Sequence, residues 1–139
     1  MARIAPLTDR DYARLLTVRT RLRQFEHWSA AQAAAHDLTS SQHQLLLAVR
    51  GHVGDGGPTI GEAGEYLMIR HNTAVELVNR TQELGLLVRT RDGQDHRVVR
   101  LALTAEGRTR LASLTAAHVE ELSRLGPMID ALVAALSQD

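Results

Sequence analysis

The chain has 139 residues, with sixteen acidic residues balanced by sixteen arginines, no lysine and no cysteine. Its length suits one compact domain with a core of its own. Zero formal net charge argues against a surface coated in basic groups, and without a thiol neither a disulfide nor a cysteine-based redox switch can form. Tyr12, Phe25, Trp28 and Tyr66 are the whole aromatic set, so the core must be built mostly from Leu, Val and Ala.

In chain order, residues 1–16 do not read as a signal segment, because Arg3, Asp9, Arg10, Asp11 and Arg14 interrupt any apolar run. A first helix is expected from Leu7 to about Ala35, with Thr8 as N-cap. Leu15, Leu16, Val18 and Leu22 form a partial apolar stripe, and Arg14, Arg21 and Arg23 a solvated face. Thr39-Ser40-Ser41-Gln42 is a capping box that opens a second helix through about Val49. Gly51 to Pro58 is a loop by composition. It contains Gly54-Asp55-Gly56-Gly57 but no Gly-Lys-Ser/Thr, so no nucleotide is assigned to it.

Thr59-Ile60-Gly61-Glu62 is a further capping box, starting a short helix that ends at Tyr66 or Leu67. A fourth helix is expected from Arg70 to Leu84, closed by Gly85. Ala74, Leu77, Val78, Thr81 and Leu84 make its inward stripe, while Arg70, His71, Thr73, Glu76 and Arg80 face outward. Two strands follow, Val88 to Arg91 and Arg97 to Leu103, joined by a polar tip with Asp92-Gly93 turn chemistry. Val99, Leu101 and Leu103 alternate with Val98, Arg100 and Ala102. Thr104 caps a long helix to about Leu125; Gly126-Pro127 is expected to break it, leaving a last helix from Met128 to Leu136. The longest apolar run, Ala131 to Leu136, is too short to span a membrane, so a cytoplasmic protein is expected.

Two helices joined by a short turn and followed by a hairpin make a winged helix-turn-helix. The fold class is therefore mainly α with a small β-hairpin wing. From Arg70 to Arg100 there are six arginines against four acids, a local basic excess within a neutral chain. A basic hairpin beside a helix rich in Arg, His, Asn and Thr fits double-stranded DNA.

In order and spacing the sequence resembles the MarR family of bacterial transcription regulators. The residues that carry the likeness are Leu38-Thr39-x-x-Gln42, Thr59-Ile60-x-Glu62 and Thr73-Ala74-Val75-x-Leu77-Val78-Asn79-Arg80, then Gly85-Leu86-Leu87-x-Arg89, and finally Asp92-x-x-Asp95-x-Arg97-x-x-x-Leu101-x-Leu103-Thr104-x-x-Gly107. The chain departs from the family pattern at Ala63-Gly64, where Leu-Ala is usual, and at Thr81, where Leu is usual. It departs again at Glu76 on the outward face and at His96 in place of Arg.

The resemblance implies a DNA-binding lobe at 38–107 between dimerisation segments at 1–37 and 108–139, all in one compact domain. It implies a homodimeric repressor on a palindromic site, released by a small aromatic or phenolic effector, with no cofactor and no enzymatic activity. The expected DNA contacts are Thr59, Arg70, His71, Asn72, Thr73, Glu76, Arg80, Arg91, Asp95, His96 and Arg97. In the C-terminal segment Leu111, Leu114, His118, Leu122 and Leu125, with Ile129, Leu132, Val133 and Leu136, offer apolar surface for a symmetry mate. Trp28, His36 and His43 are the expected effector contacts.

Seven histidines raise a metal reading, with His118 and Glu121 on one helical face and His36 and His43 flanking the second helix. Zinc needs several ligands at one point, and no tight spacing supplies them, so no metal site is assigned. Two alternatives remain beside the DNA-binding repressor: a zinc-responsive regulator, and a winged-helix dimer serving protein–protein contact only. No nucleophile elbow or paired-carboxylate motif is present, so no catalytic residue is assigned.

Overall fold

A computed structural model describes residues 5–136; the outermost residues of the segments expected at 1–37 and 108–139 lie outside them. Among the described residues there are five helices and one two-stranded antiparallel hairpin. They run α1 (Asp9–Ala35), α2 (Ser40–Gly51), α3 (Ile60–Leu67), α4 (His71–Glu83), β1 (Leu87–Arg91), β2 (Val99–Leu103) and α5 (Ala105–Leu136). This is the mainly helical winged fold expected from the pattern.

Local chemistry explains most boundaries. Thr8 and Asp11 start α1: the Thr8 N–H donates to Asp11 Oδ2 and the Asp11 N–H to Thr8 Oγ1, at 2.9 and 3.3 Å. Thr39 with Gln42 and Thr59 with Glu62 form the two expected capping boxes. Thr104 Oγ1 accepts the Gly107 N–H at 3.0 Å at the head of α5. After α4, Gly85 takes the left-handed conformation at φ 77° that favours glycine.

The chain divides into two compact units, where its length alone suggests one domain. Residues 5–31 and 116–136 form the first unit, and residues 32–115 the second. The lobe expected at 38–107 lies wholly inside the second unit.

The core of the second unit is aliphatic. Leu38, Leu45, Leu46, Val49, Val78, Leu86, Leu87, Leu101, Leu111 and Leu114 are all buried, with Ile60, Leu67 and Leu77 packed against them. Leu87 pairs with Leu103 and Arg91 with Val99, which puts Leu101 and Leu103 on the inner face as the alternation predicts. A segment before α3 docks on the other edge of β2. The Leu101 N–H donates to Pro58 O at 2.8 Å, and a Cβ on Gly57 would lie 1.7 Å from Leu101 O, so only glycine fits there.

In the first unit Phe25, Trp28 and His118 cluster, with Trp28 and His118 ring centroids 4.8 Å apart. Ser29, nearly buried, meets His118 Nε2 at 2.7 Å, and Arg14 Nη1 donates to Ala135 O at 3.3 Å.

Three expectations are corrected. Gly126-Pro127 does not break α5, which runs unbroken through both. Proline removes a single N–H, whose partner would be Ser123 O, and the helix on either side keeps its remaining bonds. Leu84 is not on the buried stripe of α4: the helix ends at Glu83, and Leu84 is half-exposed at the cap. Leu111, Leu114 and Leu125, expected to offer apolar surface to a symmetry mate, are buried, whereas Leu122 is half-exposed as that expectation has it.

Candidate nucleic-acid interface

A three-residue turn, Met68 to Arg70, joins α3 to α4. Met68 adopts the left-handed conformation at φ 58°, and the Ile69 N–H returns to Gly64 O at 3.1 Å. Gly64 is buried, and a Cβ added there would stand 3.4 Å from Ala74 Cβ. The alanine usual at this position would therefore sit in ordinary contact, and the close packing of α3 on α4 does not require the glycine. Thr81, the other departure on the buried face, is fully buried; its hydroxyl donates to Leu77 O at 2.7 Å, which satisfies it without a distant partner.

This packing turns the opposite face of α4 to solvent. Arg70, His71, Asn72, Thr73, Glu76 and Arg80 are all exposed. None of their side chains has a hydrogen-bond or ion-pair partner among the described residues. Arg70 is the N-cap but makes no side-chain cap, so the first N–H groups of α4 also stay open at the positive end of the helix dipole. Such a helix start suits an anion.

The wing is held by two carboxylates. Asp92 Oδ2 accepts the N–H groups of Gln94 and Asp95 at 3.0 and 2.9 Å, and its Oδ1 accepts Arg100 Nε at 2.8 Å. Arg100 and these two amides lower the Asp92 pKa to about 2. Arg100 also donates to Gly57 O at 3.1 Å, tying the wing base to the loop before α3. Asp95 receives Arg97 Nε at 3.0 Å and Nη2 at 3.2 Å, and this pair, with the Arg97 N–H, lowers the Asp95 pKa.

The expected contacts are therefore in different states. Arg97 is 91% exposed, aimed by Asp95 from one side only. His96 is exposed as well. Arg91 is exposed, but its Nη1 donates to His96 O at 2.7 Å, so it also braces the tip. Thr59 is half-buried, its hydroxyl accepting the Glu62 N–H at 3.2 Å. Trp28 belongs to the first unit, whereas His36 and His43 belong to the second. His36 Nδ1 meets Gln32 O at 3.0 Å, and His43 is buried. Among the described residues no three His, Asp or Glu side chains converge as a metal site; Glu121 pairs with Arg124 instead.

Arg89 carries part of the family likeness but is not among the expected DNA contacts. It lies on β1 and donates to Asn79 Oδ1 at 2.6 Å and to Gln82 Oε1, so the wing grips the outward helix directly. A signal was available: Arg89 shares the inward parity of Leu87, and a charge on an inward face must find partners.

Residues 36–98 match the family model described as MarR family. Among curated proteins nothing matches the chain. Solved structures with the same fold include a MarR family protein from Bacillus stearothermophilus, 21% identical, TM-score 0.72, over 86% of this chain and 82% of that one. The S. aureus MepR–DNA complex is 20% identical with a TM-score of 0.68, over 96% of each chain. CouR from Rhodococcus jostii RHA1, bound to p-coumaroyl-CoA, is 19% identical with a TM-score of 0.68, over 88% of this chain and 91% of that one. The lobe with the capped helix-turn-helix and braced wing thus matches the MarR family model over residues 36–98, and the chain shares the winged-helix fold of solved MarR family structures.

Proposed function

We propose that the chain is a sequence-specific double-stranded DNA-binding transcriptional regulator of the bacterial cytoplasm, and that it acts as a homodimeric repressor. The observation that carries the reading is the outward face of α4. Its Arg, His, Asn and Thr side chains have no partner within the described residues and stand beside a wing that grips the same helix through Arg89. Those residue types bond to base edges and phosphates. The DNA complex of S. aureus MepR, on the same fold, supports it.

The homodimer rests on apolar surface left open on both terminal helices. Leu16, Val119 and Val133 are 65%, 56% and 47% exposed. Exposed apolar surface of this kind marks association sites. A two-fold dimer sets two recognition helices on a palindrome. The effector is a small aromatic or phenolic acid. Trp28 lines a groove of about 610 Å³ with Arg23 and His27, giving such a molecule a stacking face and a cation. No helix among the described residues is long and apolar enough to cross a membrane.

The test is selection of binding sites from random duplex DNA, with and without zinc. A palindromic motif enriched equally in both arms is expected. Enrichment only with zinc favours the metal-responsive alternative, and no enriched sequence favours a dimer that contacts protein alone.

A further inference from the structure

The outer edge of β2 borders a cleft of about 180 Å³ that the outward face of α4 does not share. Arg50, His52, Gly57, Leu103 and Arg108 are among its lining residues. The Leu101 N–H points away from β1, to Pro58 O. In an antiparallel pair that orientation repeats two residues on, so the Leu103 N–H points to the same side. No described group accepts it, and Leu103 is only 7% exposed. A nearly buried donor of this kind calls for an acceptor.

Two guanidiniums line the same cleft. Arg50 comes from the last turn of α2 and Arg108 from the start of α5. Neither has a hydrogen-bond or ion-pair partner among the described residues. Of the acids near the cleft, Glu106 pairs with Arg110 at 3.5 Å and Glu62 with His52 at 3.4 Å, while Asp55, next to the lining residue Gly56, acts on Arg100. Arg108 also stands at the positive end of the α5 dipole, where a cation is disfavoured and an anion favoured. His52 donates or accepts at Tyr66 Oη, 2.9 Å away, and forms one wall.

We propose that this cleft binds a phosphate group through the Leu103 N–H and the Arg50 and Arg108 side chains. Guanidinium forks match phosphate oxygens two at a time. The volume lies below the roughly 300–1,000 Å³ of sites for drug-sized ligands, so it suits one anionic group and not a whole aromatic effector. The phosphate belongs either to the DNA backbone or to a small phosphorylated metabolite.

The test has two arms on the full chain, and the first uses no DNA, so it stands apart from the DNA-binding reading. Sodium pyrophosphate is titrated at fixed ionic strength while backbone amides are followed by NMR. A saturable shift of the Leu103 amide is expected, with affinity about tenfold weaker in Arg50→Gln and in Arg108→Gln. In the second arm the same variants are titrated with duplex DNA across salt concentrations. A slope shallower by about one assigns the phosphate to DNA; an unchanged slope with weakened pyrophosphate binding assigns it to a metabolite. The proposal is overturned if both variants keep the wild-type salt slope and pyrophosphate either leaves the Leu103 amide unmoved or binds the variants as it binds the wild type.

Discussion

Asp95 holds Arg97 through both carboxylate oxygens, at 3.0 and 3.2 Å, while the guanidinium stays almost wholly in solvent. An ion pair this exposed adds little to stability. Its effect is to aim a cation outward from the wing, and Arg favours narrow, electronegative minor grooves. Arg97→Ala is expected to weaken DNA binding and to flatten the salt slope by about one, with the chain still folded. Anisotropy titrations across salt concentrations check this; unchanged affinity and slope would remove Arg97 from the interface.

Asn72 and Thr73 stand in the exposed first turn of α4. Each alanine substitution is expected to cost about 1–3 kcal/mol on the preferred site and to relax the choice of one base pair. Arg80, deeper along the helix, is expected to weaken all sequences alike when changed to Ala. Site selection repeated with each variant separates these patterns. An unaltered motif and affinity in both Asn72→Ala and Thr73→Ala would mean the face has been placed wrongly.

Arg89, half-buried on β1, joins wing to helix through the exposed Asn79 and through Gln82. Arg89→Met removes its bonds to Asn79 and Gln82 and is expected to lower stability by about 1–2 kcal/mol. DNA affinity should fall with the salt slope unchanged, since no phosphate contact is lost. Urea unfolding and salt-dependent titration measure the two effects, and a shallower slope would show that Arg89 itself touches DNA.

Asp92 gives the wing an acid limit. Its pKa is lowered from 3.8 to about 2, chiefly by Arg100. A carboxylate with a lowered pKa stabilises fully above its unfolded value, and that contribution is lost as pH falls through the folded value. The wing base should therefore stay closed at pH 5 and open between 3.8 and about 2. The amides of Gln94 and Asp95, followed by NMR against pH, should report it, and Asp92→Asn should flatten their titration. A midpoint at the ordinary carboxylate value would show that Arg100 does not hold Asp92.

Pro127 sits exposed inside α5. Pro127→Ala restores one N–H to the helix ladder and is expected to stabilise the chain, by up to about 3 kcal/mol. A lower melting temperature would mean that the proline ring makes contacts worth more than the bond it removes.

Much of this architecture could be read from the sequence, for identifiable reasons. Thr39 with Gln42 and Thr59 with Glu62 are three-residue relationships, so their caps do not depend on the rest of the fold. The alternation of Leu101 and Leu103 fixes which side of β2 is buried. What could not be read depends on distant partners or on tolerance. Gly57 looks like any loop glycine until Leu101 is brought against it. Pro127 is a breaker by propensity, but a long helix absorbs one missing bond. Leu84 fits the stripe, but α4 ends one residue too early to bury it. Of the site, residue types and the helix face were readable; the grip of Arg89 and the hub at Arg100 were not, because both join elements far apart in sequence.

Trp28 is the only tryptophan, and it sits with Phe25 and His118 in the first of the two units. Its emission therefore follows the unfolding of that unit alone, while far-ultraviolet dichroism averages over helices of both. Coincident transitions from these two probes would mean the units melt as one cooperative species, and separated transitions would mean they do not. The placement of one indole thus gives the chain an internal gauge of cooperativity.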